Sequence, residues 1–343
     1  SVQPYGLVVP PTYKAGSGHW HRLDFWFHGR GDTLTELAFI AGREARAGEF
    51  APEDTFVLHP YGRYCNAYKF AGEVDVFETL EHARRHYPID AERISARGFS
   101  MGGAAAWHIG AHYAGRWVAV NPGAGFVDVM KYQKLEEKLN TVPWYEQKLW
   151  NLYDALACPI NLVNTKLVAY SGELDAQKVA ADYMEQALAA EGIKMTHIIG
   201  PNTEHRYEPE AKKKVTALMD EAAAKGVNHL PRKISFVTHT LKYNQMHWVT
   251  VDALEKHWEQ ARVDAEVLAD GVQLKTANIA AFTLDKPAAS LPASLKVRID
   301  GQEIQAPAPN PFSPLHFKKP GGRWQAIADS AFRDSQSALV KRH

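Results

Sequence analysis

A lone serine, Ser100, stands between Gly98 and Gly102 in the stretch GFSMGG, after the apolar run RISARGF and before an alanine-rich one. A hydroxyl is a poor nucleophile at neutral pH. A serine that does chemistry therefore needs a base, the base needs an orienting carboxylate, and the developing oxyanion needs hydrogen-bond donors. The G-x-S-x-G spacing suits a strained strand-to-helix turn that lifts the serine above a sheet, with glycine where two backbones come too close for a Cβ. The alternative is a small residue in a tight turn with no chemistry attached.

The chain offers each missing part. Upstream, FWFHGRGDTLTE ends a strand at His28-Gly29 and starts a helix near Asp32 or Thr33, with Thr33 and Glu36 spaced as a capping box. Such a loop aims unpaired N–H groups outward beside the positive end of a helix, so the donors would be the N–H of Met101 and one from Arg30 or Gly31. The plainer reading is a glycine turn with His28 merely hydrogen-bonded. Downstream, the strand KLVAYS runs into Gly172-Glu173-Leu174-Asp175, and the strand KMTHII into GPNTEHRYEP with His205. Serine, acid and histidine then follow in that order past the carboxyl ends of successive strands, the edge where open sheets bind ligands. His205 is the preferred base, because His197 lies within a strand, His82 and His86 on a solvated helix face, and His108 and His112 on the helix behind the turn. Asp175 is preferred to Glu173, which sits two residues nearer the strand.

These residues need a scaffold. Up to residue 228, short Val/Ile/Phe/Ala-rich runs alternate with amphipathic stretches, as in an α/β domain with a mostly parallel sheet flanked by helices. Val76, Phe77, Leu80, Ala83 and Tyr87 recur at helical spacing, as do Val179, Tyr183, Met184 and Leu188, and both stripes read as core. About 45 residues separate the strands RWVAVN and KLVAYS, more than a plain connection uses. The insert at about 126–160 reads as a cap of two helices broken at Pro143, carrying Tyr132, Trp144, Tyr145, Trp150 and Tyr153. Trp144 and Tyr145, with Tyr64 and Asn66 after the strand TFVLHP, are candidate substrate contacts; the alternative is that the aromatics pin the cap to the sheet. Arg63 is a candidate to hold a carboxylate or phosphate-like group, or a solvated loop arginine.

From residue 232 to about 320 the chain turns to short alternating β-branched segments, which predicts a small antiparallel β domain, with a tail to residue 343. Asp270-Gly271 and Asp300-Gly301 sit where type I′ hairpin turns belong. The proline-bearing stretch Ala306–Gly322 reads as a wrapping or linking segment.

Composition bounds the partners. The 343 residues carry 39 basic and 39 acidic side chains and are 45% hydrophobic, which gives no electrostatic reason to expect nucleic acid or a membrane surface. No apolar run approaches a membrane span, and SVQPYGLVVPP lacks the parts of a signal peptide. The compartment stays unknown; a processed form would favour a secreted or periplasmic protein. Cys65 and Cys158, with no Cys/His cluster nearby, read as core or loop thiols, so no metal and no cofactor are expected. From its ends the chain is expected to be part of a longer polypeptide. A homodimer partner or a missing segment would then cover an apolar face or sheet edge near Tyr243–Trp248 or LKVRI.

FHGRGD, GFSMGG, YSGELD and GPNTEHRY resemble the α/β-hydrolase superfamily, more closely bacterial esterases and prolyl-oligopeptidase-like serine hydrolases with an appended β domain. YGRYCNAYKFAGEVDVFE shares the likeness, which covers roughly residues 5–225. The resemblance implies Ser100 as nucleophile, Asp175 as acid and His205 as base. Prolyl oligopeptidases usually carry Gly-Gly-Ser-Tyr-Gly-Gly and a propeller; this chain has Gly-Phe-Ser-Met-Gly-Gly and no propeller-length repeat. The expected activity is hydrolysis of carboxylic esters through an acyl-enzyme, on acetyl or feruloyl esters of plant polysaccharides or their fragments, so the partner is a small-molecule or oligosaccharide ester. A prolyl-oligopeptidase-like peptidase is the alternative enzyme, and a binding or scaffold protein on a hydrolase fold the alternative without chemistry.

Overall fold

Strand β2, His21–Phe27, follows β1, Tyr5–Val8, and is buried along all seven residues. That explains why HRLDFWF is not an apolar-polar alternation: a parallel strand covered on both faces has no solvent side. Its charged residues are paired inside the protein. Arg22 meets Asp24 at 2.7 and 2.8 Å, and Arg97, itself wholly buried, meets the same carboxylate at 3.0 Å. Burial alone would raise the Asp24 carboxyl, but the two guanidinium groups outweigh it and hold it below the usual carboxylate range.

The computed structural model describes residues 3–48, 50–285, 295–305 and 314–332. These fall into two units, Ser1–Val227 and Asn228–His343. In the first unit, α1 (Glu36–Ala45), β3 (Thr55–Pro60), α2 (Ala71–His86), β4 (Ile89–Phe99), α3 (Met101–His112), β5 (Ala119–Gly123), β6 (Lys166–Leu167), β7 (Ala169–Gly172) and β8 (His197–Gly200) complete an eight-stranded sheet with its helices. The strand order is β1-β3-β2-β4-β5-β7-β8, with β6 beside β5; β1 runs antiparallel to β3 and the other pairs are parallel. This is the α/β-hydrolase arrangement of a mostly parallel sheet flanked by helices. Behind β5 and β7, the helix Pro209–Lys225 packs Val215 and Met219 against Val118, Val168 and Tyr170.

Several local expectations need correction. The cap of α1 is Thr35, whose hydroxyl accepts from the Ala38 N–H at 3.2 Å, not Thr33. Val179 is 46% exposed rather than core; Ala180 and Ala181 are buried in its place beside Met184 and Leu188. The insert is more broken than two helices parted at Pro143, although Pro143 does precede its second α-helix. It comprises Val129–Tyr132, Glu136–Thr141, Trp144–Trp150, Ala155–Ala157 and Pro159–Asn164, only the first and third of them α-helical.

The second unit holds two five-stranded sheets. In one, Lys233–Thr238, Ala261–Val267, Gly271–Ala277, Lys296–Ile299 and Gln302–Gln305 pair in that order; in the other, Gln245–Met246, Val249–Leu254, Ile279–Leu284, Leu315–Lys318 and Gln325–Ile327 do. One pairing, Gly271–Ala277 with Lys296–Ile299, is parallel, so the unit is not purely antiparallel. Asp300 and Gly301 have φ of 51° and 81°, as a type I′ turn requires. Asp270-Gly271 does not form one: neither residue has positive φ, and Gly271 begins a strand where an added Cβ would meet the Lys296 carbonyl oxygen at 1.9 Å. Part of the supposed wrapping segment is strand, at Leu315–Lys318, while residues 306–313 lie outside the described ones. LKVRI is flanked on both sides by other strands, whereas Gln245–Met246 is the outermost strand of its sheet, with Tyr243, Met246 and Trp248 buried beside that edge. The terminal SALVKRH also lies outside the described residues.

Candidate active site

Ser100 closes β4 and caps α3 with φ 60° and ψ −121°, a conformation unfavourable for any residue with a Cβ. The backbone on either side fixes it: the Ser100 N–H donates to the Gly123 carbonyl at 2.8 Å, and the Ala104 N–H to the Ser100 carbonyl at 3.0 Å. Glycine is required around it by close approach. A Cβ on Gly98 would meet the Gly102 carbonyl oxygen at 2.3 Å, and one on Gly102 the Phe27 carbonyl oxygen at 1.9 Å. The strained turn thus survives because strand, helix and serine are held together from three directions.

Asp175 follows β7 and is buried, and its two oxygens are both engaged. Oδ1 accepts from the Gln177 N–H at 2.9 Å, and Oδ2 lies 2.8 Å from His205 Nδ1. Ser100, Met101, Asp175 and His205 together line a cavity of about 680 Å³. Among the described residues, Ser100 and His205 make no hydrogen bond to each other; such bonds commonly tighten only around bound substrate. Phe99 packs on the His205 ring, with centroids 4.8 Å apart. Glu173 is turned away to accept from the Asn202 N–H at 2.8 Å, which braces the histidine loop rather than the imidazole.

Around the cavity, the sequence-derived residues divide. Arg30 and Met101 line it and Gly31 does not, although Gly31 begins the turn closed by the Leu34 N–H at 2.9 Å. Tyr64 and Asn66 line it, and the Tyr64 hydroxyl donates to the Asp32 carbonyl. Trp144 and Tyr145 do not: they are 74% and 55% exposed on the short helix of the insert and meet each other edge to face. The insert instead contributes Phe126, Tyr132 and Gln133, with the Phe126 and Tyr132 rings stacked at 4.2 Å. Arg63 is not a solvated loop arginine: its guanidinium forks onto the buried Asp75 at 2.8 and 3.0 Å. Sequence reasoning also missed Cys65, Lys69 and Gln177 in the wall. No spacing marks them; they arrive through turns whose backbone path is not written in residue type.

Residues 66–225 match the model of the prolyl oligopeptidase family, peptidase S9. A search of the curated proteins found no match. Among solved structures, the chain is similar to a protein from Bacteroides ovatus assigned as a dipeptidyl aminopeptidase IV. The TM-score is 0.48 at 12% identity, over 63% of this chain and 33% of that one, so this chain spans about a third of that protein. It is also similar to S-formylglutathione hydrolases from Staphylococcus aureus (TM-score 0.47, 13% identity, 64% of this chain and 92% of that one) and Agrobacterium tumefaciens (0.47, 16%, 64% and 88%). With TM-scores below 0.5, these likenesses bear on no residue's role and on no substrate.

Proposed function

We propose that this serine hydrolase of the α/β-hydrolase class cleaves carboxylic esters through an acyl-enzyme on Ser100. His205 Nε2 takes the serine proton as Oγ attacks the ester carbonyl, and returns it to the departing alcohol. Water then attacks the acyl-serine with the same histidine as base, releasing the acid and restoring the hydroxyl. Asp175 holds the imidazole in the tautomer with the proton on Nδ1 and stabilises the imidazolium that forms. The N–H of Met101, with that of Arg30 or Gly31, receives the oxyanion. The observation that carries the reading is the 2.8 Å contact of His205 Nδ1 with buried Asp175, on the cavity that Ser100 also lines.

The finer substrate reading is an acetyl or feruloyl ester of a plant polysaccharide or its fragment. The stacked Phe126 and Tyr132 rings and Tyr64 offer rigid aromatic area with polar tips, suited to a flat phenolic acyl group or a sugar ring. Peptidase activity is the second reading, favoured by the family match over residues 66–225. A fluorophosphonate probe tests the chemistry: the native chain should be labelled and Ser100→Ala should not. Methyl ferulate, acetylated xylan, p-nitrophenyl esters and prolyl-peptide substrates then separate the readings. Turnover of the peptides without turnover of any ester would replace the esterase by a peptidase.

A further inference from the structure

Apart from the histidine, four charged side chains line the catalytic cavity: Arg30, Asp32, Lys69 and Asp175. Two pairings account for three of the four. Arg30 Nε lies 2.6 Å from Asp32 Oδ1, and Asp175 faces His205. Lys69 is left over. Among the described residues its ammonium makes no ion pair or hydrogen bond; it sits over the rings of Phe126 and Tyr153, 5.4 and 5.9 Å from their centroids.

Burial lowers the Lys69 pKa and outweighs the two carboxylates within electrostatic reach, Asp154 and Asp128, which favour the ammonium. Among the described residues neither forms an ion pair with it, and each is hydrogen-bonded to backbone instead. Asp128 accepts from the Lys131 N–H at 2.8 Å, and Asp154 from the Val129 N–H at 3.1 Å. Burial pushes the Asp154 carboxyl up to about 7, which weakens it further as a counter-charge near neutral pH. Rings fix the place of a cation without neutralising it.

The backbone that delivers Lys69 is also unusual. Between Gly62 and Phe70, six residues have φ from 53° to 72°, and five of them are not glycine: Arg63, Tyr64, Ala67, Tyr68 and Phe70. The path is enforced from outside. The buried Tyr68 hydroxyl donates to the Pro60 carbonyl at 3.0 Å and accepts from the His28 N–H at 2.9 Å, Asn66 Oδ1 accepts from the Tyr68 N–H at 2.9 Å, and Arg63 is clamped by Asp75. Strain of this kind persists where the surroundings over-determine it, and it gathers at ligand sites.

We propose that Lys69 is a specificity residue that receives an anionic group of the substrate, a carboxylate on either the acyl or the alcohol side of the scissile bond, such as the uronate of an acidic oligosaccharide. This rests on the reading of Ser100 as nucleophile in the same cavity. A carboxylate there would complete the missing charge pair in a partly water-excluded wall, where a charge-assisted hydrogen bond is stronger than in bulk water.

Two matched ester pairs test it. Monomethyl glutarate against methyl pentanoate places the anion on the acyl side, and 4-acetoxybenzoate against its methyl ester places it on the leaving side. The wild type is expected to favour the anionic member of one pair by about tenfold or more in kcat/KM. Lys69→Met should abolish that preference through KM and keep native circular dichroism; Lys69→Arg should recover part of the preference. An unchanged ratio in Lys69→Met, or no anion preference in either pair, overturns the role of Lys69 and leaves the hydrolase reading intact. Calorimetric binding of the same compounds to Ser100→Ala supplies a readout without turnover. Anion preference there, lost on adding Lys69→Met, supports Lys69 even if no ester is hydrolysed, an outcome that would count against the esterase alone; equal binding of both members counts against Lys69.

Discussion

The Tyr170 hydroxyl donates to the Arg206 carbonyl at 2.7 Å, fastening β7 to the loop that carries His205. The same oxygen accepts from the Glu208 N–H at 2.8 Å, so one side chain, wholly buried, spans the loop from both sides of Tyr207. Burial pushes this phenol up, which keeps it a donor across the working pH range. Tyr170→Phe leaves two backbone groups without a partner, at a cost of about 1–3 kcal/mol. Because those groups set the height of His205, kcat should fall about ten- to a hundredfold while the fold, by circular dichroism, stays native. A variant with wild-type kcat would show that the loop is positioned by something else.

Asp175 and Glu173 have separable work. Asp175→Asn puts the wrong imidazole tautomer opposite Ser100 and should lower kcat by about 10⁴. Glu173→Gln keeps an oxygen to accept from the Asn202 N–H and should cost less than about tenfold. Steady-state kinetics on the two purified variants decides, and the reverse order would reassign the acid.

Much of this site could be read from the sequence because chemistry and backbone geometry coincide there. Gly98 and Gly102 must be glycine, Ser100 must sit between them, and Asp175 and His205 must follow strand ends, so residue type reports position. The cavity wall was less legible. Trp144 and Tyr145 drew attention as aromatics, yet they lie on a short helix that faces them to solvent, while Phe126 and Tyr132 reach the cavity. Lys69 gave no signal at all, since its place depends on five left-handed non-glycine residues whose conformations are set by Asp75, Asn66 and Tyr68 rather than by their own preference. In the second unit the strands followed from alternation, but the parallel pairing of Gly271–Ala277 with Lys296–Ile299 could not, because period-two patterning is the same for either direction.

Strain at Ser100 predicts a trade of activity against stability. With φ 60° and ψ −121°, the side chain costs about 1–3 kcal/mol that glycine would not, against about 0.4–1 kcal/mol of extra unfolded-state entropy for glycine. Ser100→Gly should therefore abolish fluorophosphonate labelling and raise the urea midpoint with unchanged m-value, whereas Ser100→Ala keeps the Cβ and most of the strain. A Ser100→Gly midpoint at or below that of Ser100→Ala would mean the turn is not strained by its Cβ.

Asp154 makes the stability of the first unit depend on pH. Burial is the leading cause that carries its carboxyl from an ordinary 3.8 up to about 7, with Lys69 and the Val129 N–H pulling the other way. The folded state thus holds this proton more tightly than the unfolded chain, and stability falls as pH rises from about 4 to about 7, where the folded carboxyl must ionise in place. Asp154→Asn is neutral at every pH and its oxygen can still accept from Val129. Relative to the wild type, the variant should therefore gain stability as pH rises, by an amount on the order of a few kcal/mol between pH 4 and pH 8. Urea denaturation of both proteins at several pH values, followed by a probe in the first unit, measures the difference. A gap independent of pH would falsify the assignment of the buried proton to Asp154, and a gap that closes toward pH 8 would mean that Lys69 keeps the carboxylate ionised and the pair acts as a salt bridge instead.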